Sequence, residues 1–482
     1  MEKTYGLLPK IPVRVDCGAA TGAFEGWRHS IGHGGINCYP LPPKVQRGLA
    51  ACKPRLVRTF IQEYFDVYPA HDTYNWSLLD PYMDALAASG GQVVACICIK
   101  PAVLYPAMDQ CVVMPNDIAE WQRVVAALVT RYSVEKPLVT HWEISNESDI
   151  GENGGCPFWT RTPAEYNEYY NITQAAIKQA FPQAKVGGPV VADVYSPLVE
   201  GLLAYCSEKN LPLDFVSWHR YSDEPHSHTA PVHHVKHLAE TYYDTKPMEL
   251  LITEFGKGFD EVCVEESAFD SFRPAVIGAS ILDMMDTSVD WTFYYHVWDQ
   301  VFVADPFRRF FTDPEIMLLH WNKMPHRMGL FGVCGEVRPT YFLYRMLAEM
   351  GDEALAATSD AKDLRVKAAR GTDGMSVLLV NHDPRCPRDM VAEIHCNGMA
   401  DGLYLLTVHK LDGQKNWDED QLSLHPSERR YVDLAHMDGK PPFFCNVLCP
   451  ADSVVLVRLQ RTSPADMAAA YAAMRQTESA PL

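Results

Sequence analysis

Residues 141–149 read HWEISNESD, and residues 249–258 read ELLITEFGKG. Each is an apolar, strand-like run that ends on a carboxylate, Glu147 in the first and Glu254 in the second. Strands normally give way to glycine, proline or other small turn residues. Here Asn146 and Glu147 stand side by side where turn chemistry takes over. One carboxylate after a strand is usually a helix cap or a surface residue. Two of them, at matching places in a repeating pattern, need another explanation.

The pattern extends outward from these two runs. Further strand candidates are RLVRTFI (55–61), QVVACICIK (92–100), LVTHWEIS (138–145), KVGGPVV (185–191), LDFVSWHRY (213–221) and DWTFYYHVW (290–298), with a weaker one at PVRVDCG (12–18). Near-continuous apolar runs of this kind are expected when a strand is covered on both faces. Helical patterns lie between them. Ile118, Trp121, Val125, Leu128 and Tyr132 recur at spacings of three and four, which makes one apolar stripe. Thr162, Pro163 and Glu165 form a helix start with a capping box. Alternating strand and helix predicts parallel βαβ units, and eight strands over about 300 residues predict a closed (β/α)8 barrel.

After residue 340 the texture changes. MSVLLVNHD, DMVAEIHC, GLYLLTVHKLD and DSVVLVRLQ are strands separated by turn-rich segments. The expected organisation is a barrel over residues 14–340 and an accessory antiparallel β-sandwich over 341–462, with a tail over 463–482. Residues 1–13 are left open to join the sandwich.

Composition narrows the classes of function. The chain has 482 residues, 42 basic against 61 acidic, for a formal net charge of −19. That balance argues against a general grip on nucleic acid or on an anionic membrane, both of which need basic patches. No apolar run is long enough to span a bilayer, and MEKTYGLLPKIPVRVDCG has no uninterrupted apolar core of a secretory signal. The 14 cysteines are scattered and read as reduced thiols of a cytoplasmic protein. Cys96 and Cys98 share one face of a strand as core residues, and two thiols alone make no metal site. His226, His228, His233, His234 and His237 match no standard ligand spacing, so no metal is expected. Self-association is left open.

In a barrel, chemistry collects at the C-terminal ends of the strands. Glu147 follows the fourth strand and Glu254 ends the seventh, so the two face each other across the mouth. Two facing carboxylates are what cleavage of a glycosidic bond requires: one protonates the leaving oxygen, and the other attacks or activates water.

WEISNE followed by ITEFG resembles the acid/base and nucleophile motifs of clan A glycoside hydrolases, and most closely family 39, the β-xylosidases and α-L-iduronidases. RHSIGHGGINCYPLPPKVQRGL, YNWSLLDPYMDALAASG, DFVSWHRYS and GLFGVCGEVRPTYFLYRML resemble stretches of that family as well. The likeness covers roughly residues 25–350. It implies Glu147 as general acid/base, Glu254 as nucleophile, and Asn146 as the partner of the hydroxyl next to the anomeric carbon. It also implies retention of configuration, with no cofactor. Arg58 is implied as a bond to Glu254 or to sugar. His219 and Tyr221 point the same way from the sixth strand, where a tyrosine touching the nucleophile would hold its orientation. Trp291, His296 and Trp298 near the eighth strand are candidates for a sugar-stacking wall, since pyranose faces bind aromatics.

The chain departs from the family at two places. Arg58-Thr59-Phe60-Ile61 stands where the xylosidases have Arg-Phe-His-Gly, and Ser148-Asp149 stands for the usual Pro-Asn. Asp149 and Glu152 near the mouth would repel an acidic sugar. The expectation is therefore an exo-acting, β-xylosidase-like hydrolase of a glycoside or oligosaccharide. A β-glucosidase, β-galactosidase, arabinosidase, α-L-iduronidase or non-catalytic carbohydrate-binding barrel is the alternative.

Overall fold

The computed structural model describes residues 8–105, 107–243, 248–259, 270–323, 327–434 and 443–478. Residues 1–7 of the expected N-terminal segment and 479–482 of the expected tail lie outside the described residues. By contacts the chain divides into two compact units. One is Trp27–Glu266 with Asp283–Arg338, and the other is Met1–Gly26 with Ser267–Leu282 and Pro339–Leu482.

The first nine strands are β1 (Lys10–Ala23), β2 (His29–His33), β3 (Leu56–Gln62), β4 (Gln92–Cys98), β5 (Val139–Ile144), β6 (Lys185–Val191), β7 (Phe215–Tyr221), β8 (Glu249–Gly256) and β9 (Trp291–Tyr295). Strands β2 to β9 close into a barrel in sequence order, and every pairing is parallel. The apolar runs behave as expected for strands covered on both faces: β3 and β5 to β9 are buried along most of their length.

Local signals start the helices between the strands. Asp117 accepts from Glu120 N at 2.9 Å to cap Ile118–Val129, and Thr162 accepts from Glu165 N at 3.4 Å to cap Pro163–Ala180. The return bond of that capping box goes one residue further back, from Arg161 N to the Glu165 carboxylate at 2.8 Å. The histidine-rich stretch forms the helix His226–Tyr242. Among the described residues, no helix is long and apolar enough to cross a membrane.

One strand falls elsewhere than expected. PVRVDCG (12–18) lies in β1, which pairs with β10 and β13 of the second unit and takes no part in the barrel. Its residues explain this. Val13, Val15 and Cys17 are buried while Arg14 and Asp16 are exposed, which is the period-two pattern of a strand with one wet face. The true first barrel strand is β2, HSIGH, whose five residues are all buried. Two of its polar side chains are bonded internally, His29 Nδ1 with Thr292 Oγ1 and Ser30 Oγ with the Leu56 carbonyl, while the His33 ring is buried against His296 with centroids 5.7 Å apart. The numbering of the later strands is unchanged, so Glu147 still follows the fourth barrel strand and Glu254 still lies in the seventh.

The second unit is built on β10 (Glu353–Ser359), β11 (Leu364–Gly371), β12 (Gly374–Asn381), β13 (Met390–Asn397), β14 (Leu403–Leu411), the short pair β15 (Trp417–Asp418) and β16 (Ser423–Leu424), β17 (Glu428–Asp433), β18 (Phe443–Cys449) and β19 (Ser453–Arg461). Nine strands form one sheet in the order β17-β14-β19-β12-β11-β10-β1-β13-β18, antiparallel except where β1 runs parallel to β13. Val13, Ile394 and Val447 from one end of that order share a core with Leu406, Val457 and Val377 from the other. The sheet therefore curls over itself as a sandwich does. The helix Pro464–Glu478 follows β19 and occupies most of the expected tail.

If β1 is a central strand of this sheet, Val15→Ala should loosen its neighbours by about 2 kcal/mol. We expect amide exchange in 353–359 and 390–397 to quicken by roughly 30-fold while 139–144 stays at the wild-type rate. Faster exchange in 139–144 alone would contradict the placement.

Candidate active site

Arg58 lies at the centre of the barrel mouth. On β3, residues 58, 60 and 62 point to the same side, as the period of a strand requires. The Arg58 guanidinium is fully buried and donates in three directions: Nε to Glu143 Oε2 at 2.7 Å, Nη1 to Glu254 Oε1 at 2.6 Å, and Nη2 to Asn146 Oδ1 at 2.8 Å. Burial alone would weaken its charge, but the Glu143 and Glu254 carboxylates raise its pKa above the ordinary value. Glu143 was not among the residues singled out from the sequence. A signal was available, since a carboxylate inside the apolar strand HWEIS must find a partner once buried.

Glu254 accepts a second bond, from Tyr221 Oη to Oε2 at 2.6 Å. Both of its oxygens thus face donors, and its side chain is 8% exposed. Burial and the adjacent Glu254 carboxylate hold the Tyr221 hydroxyl well above its usual pKa, so it stays a donor.

Glu147 is presented differently. Strand β5 ends at Ile144, and the backbone then turns through positive φ at Ser145 (69°) and Glu147 (40°), values uncommon for residues other than glycine. Glu147 N donates to the Val190 carbonyl at 2.7 Å, which pins the turn to β6. The following loop packs onto its side chain, and a Cβ on Gly154 would lie 2.2 Å from Glu147 Oε2, so only glycine fits there. Burial, helped by Asp149, pushes the Glu147 carboxyl up to about 8. Its Oε1 lies 2.7 Å from His219 Nδ1, and that nitrogen lies 3.7 Å from Glu254 Oε2. Burial lowers the His219 imidazole to about 4, so a neutral ring sits between the two carboxyl groups at neutral pH.

Glu147, His219 and Glu254 each place one ligand atom within 4.8 Å of the others, so oxygens of the two carboxyl groups approach to within that distance. Such a trio has the spacing of a cation site. Hydrogen bonding accounts for its closeness: His219 to Glu147, and Arg58 and Tyr221 to Glu254. Among the described residues, the histidine-rich helix forms no second cluster of this kind.

A cavity of about 710 Å³ opens over this group and is lined by Asn146, Glu147, Tyr221 and Glu254. Asn146 Nδ2 donates to the Gly154 carbonyl at 3.1 Å, and its second amide hydrogen is left for a ligand. Phe60 lines the floor, with the Arg58 guanidinium 4.2 Å from its ring centroid.

The expected aromatic wall is built from other residues. Trp291 opens β9 at the opposite end of the strand and packs on Trp27, with ring centroids 5.0 Å apart. Trp298 points its Nε1 to the Val333 carbonyl at 3.3 Å, and His296 is fully buried against Asp299 at 3.0 Å. None of the three lines the cavity. Tyr295 and Trp321 line it instead. Trp321 lies in an irregular helical segment over 315–323 that gave no strand or barrel signal.

Asp149 and Glu152 also differ from expectation. The Asp149 carboxylate accepts from Ala192 N at 3.0 Å and Asp193 N at 3.2 Å. Glu152 accepts from Thr312 N at 2.5 Å and Asp313 N at 2.9 Å. Neither carboxylate lines the cavity. Glu152 instead clips the segment that leads to Trp321 onto the loop that follows Glu147.

The fold and the site together define a class: a (β/α)8 barrel with two facing carboxylates at the ends of its fourth and seventh strands. Comparison with known proteins is more specific. The family model for glycosyl hydrolases family 39 matches residues 61–414, and the chain belongs to that family. It is 24% identical over 264 residues to a β-xylosidase of Geobacillus stearothermophilus, an alignment covering 50% of this chain and 48% of that protein. The chain thus spans about half the length of this relative. Among solved structures, the GH39 enzyme from Xanthomonas axonopodis pv. citri superposes with a TM-score of 0.74 at 18% identity, covering 96% of this chain and all of the other. A monomeric β-xylosidase from Caulobacter crescentus CB15 superposes at 0.72 and 19%, covering 94% and 100%.

Replacing Arg58 tests the hub. Arg58→Met leaves Glu143 and Glu254 buried without their cation, and we expect a loss of roughly 3–5 kcal/mol in denaturant unfolding. Arg58→Lys keeps the charge but cannot reach three acceptors in a fixed fork, so activity should fall at least about 100-fold. A lysine variant with near-native stability and turnover would show that the fork is dispensable.

Proposed function

We propose that the protein is a retaining, exo-acting β-glycosidase of β-xylosidase type, working by double displacement. The observation that carries this reading is the contrast between two carboxyl groups whose oxygens lie within 4.8 Å. One accepts bonds from Arg58 and Tyr221, and the other is held protonated up to about pH 8 by burial. Oxygens within 4.8 Å of each other suit retention, because the inverting arrangement needs a wider gap to hold a water. The β-xylosidases among its relatives support the choice of sugar.

In the first half-reaction Glu254 attacks the anomeric carbon while Glu147 gives its proton to the departing oxygen, leaving a glycosyl ester on Glu254. In the second, Glu147 takes a proton from the water that attacks the same carbon, and Glu254 leaves as carboxylate. Asn146 is held by Arg58 and Gly154 with one N–H free for the neighbouring hydroxyl. A reduced, cytoplasmic setting belongs to this reading, because the cysteine-rich core suits a reducing compartment.

An acidic glycon is the second reading. Asp149 and Glu152 are committed to backbone N–H groups, and Arg220 lines the cavity with no ion-pair partner among the described residues. A panel of nitrophenyl xylosides, glucosides, galactosides, arabinosides and uronides separates the two.

Glu147→Ala should slow cleavage of unactivated glycosides by about 10²–10⁴-fold, the usual contribution of a positioned proton donor. Turnover of dinitrophenyl glycosides should fall far less, and azide should restore deglycosylation. Wild-type activity should drop as pH rises through about 8, where Glu147 loses its proton, and that limb should vanish in the variant. Equal losses on both substrates without azide rescue would remove Glu147 from the role.

A further inference from the structure

We infer that the leaving-group side of the cavity is built for an apolar alcohol, an alkyl or aryl aglycone, in preference to a second sugar. The inference rests on the glycosidase reading above and names the kind of glycoside that the site takes.

Glu147 delivers its proton to the leaving group, so the wall that adjoins Glu147 receives the aglycone. That wall is made by the loop after Glu147. A Cβ placed on Gly154 would lie 2.2 Å from Glu147 Oε2 and 3.0 Å from Ile150 Cγ1, so Ile150 sits beside the proton donor. The next residue, Gly155, faces Met317, whose Cε would be 3.5 Å from an added Cβ. Met317 lies in the segment that carries Leu319, and Glu152 fixes the stretch leading into it through Thr312 N and Asp313 N. Ile150, Met317 and Leu319 all line the cavity.

These side chains suit an apolar guest. A sugar offers hydroxyls that must be hydrogen-bonded when they leave water, and an unbonded one weakens binding. Ile, Met and Leu provide no partner, and they lack the flat face on which a pyranose stacks. Asn153, His320 and Gln62, whose Nε2 donates to the Gly155 carbonyl at 3.0 Å, are the polar groups on this side. Ile150 is 39% exposed and Leu319 36%, although both line the cavity. Branched aliphatic surface left in water at the mouth of a pocket marks a place where an apolar ligand lands. The thioether of Met317 adapts to guests of varied shape.

A series of methyl, butyl, hexyl and octyl β-glycosides tests this, each carrying the sugar that the nitrophenyl panel selects and kept below its micelle concentration. The acidity of the leaving alcohol is nearly constant along the series, so kcat/KM reports contact with the chain. We expect kcat/KM to rise by about twofold to fourfold per methylene up to hexyl. Octyl glycoside should be cleaved faster than the corresponding disaccharide, and Ile150→Ser and Leu319→Ser should each flatten the slope. A flat or falling series would overturn the inference. So would a disaccharide cleaved tenfold better than the octyl glycoside, or a slope that both variants leave unchanged. Cleavage of disaccharide and aryl glycoside with no turnover of alkyl glycosides would overturn it alone. Silence on every glycoside, aryl included, would overturn the function proposed above and this inference with it.

Discussion

A fully buried guanidinium between two carboxylates is the interaction on which this site depends. Arg58 comes from β3, Glu143 from β5, Asn146 from the turn beyond β5, and Glu254 from β8. One side chain therefore ties the strand after the barrel's start to the two strands that carry the facing carboxyl groups. Three charged groups out of water are costly, and the arrangement holds because the planar fork of arginine meets each acceptor along its own N–H direction. Lysine could neutralise one carboxylate but could not set the angle between three partners.

Much of the chemistry follows from how this cation is shared. Glu254 takes Nη1 of Arg58 and the hydroxyl of Tyr221, so both its oxygens are committed as acceptors. Glu147 has no such cation bonded to it, and burial dominates its titration. Two glutamates a few ångströms apart thus have different neighbours, a cation and a hydroxyl at Glu254 and a neutral imidazole at Glu147, which is the asymmetry that the proposed donor and nucleophile would need. His219, neutral and buried, fills the space between them without adding a charge.

The barrel was legible in the sequence because its strands from β3 onward are long apolar runs in regular alternation with helices. The facing carboxyl groups were legible because Glu147 and Glu254 ended two of those runs. What escaped notice did so for physical reasons. HSIGH carries three polar residues in five and reads as a loop, yet His29 and Ser30 are bonded inside the barrel and His33 is buried by ring stacking on His296. VRVDCG was more strand-like than HSIGH, but its alternation belonged to a sheet with one wet face, and its partners lie more than 300 residues away. Trp291 and Trp298 flank a strand that does reach the mouth, but the first lies at its far end and the second turns away to a carbonyl. Trp321 supplies the ring from an irregular segment held by Glu152, a long-range bond that no local pattern announces.

The central claim is that Glu254, held by Arg58 and Tyr221, forms the covalent bond to sugar. The most direct measurement is inactivation with a 2-fluoro glycoside of the matching sugar, followed by peptide mass spectrometry and proton NMR of the first-formed anomer. The account predicts a single label on Glu254 and a first product with the configuration of the substrate. A label on any other residue, or an inverted first product, would contradict it.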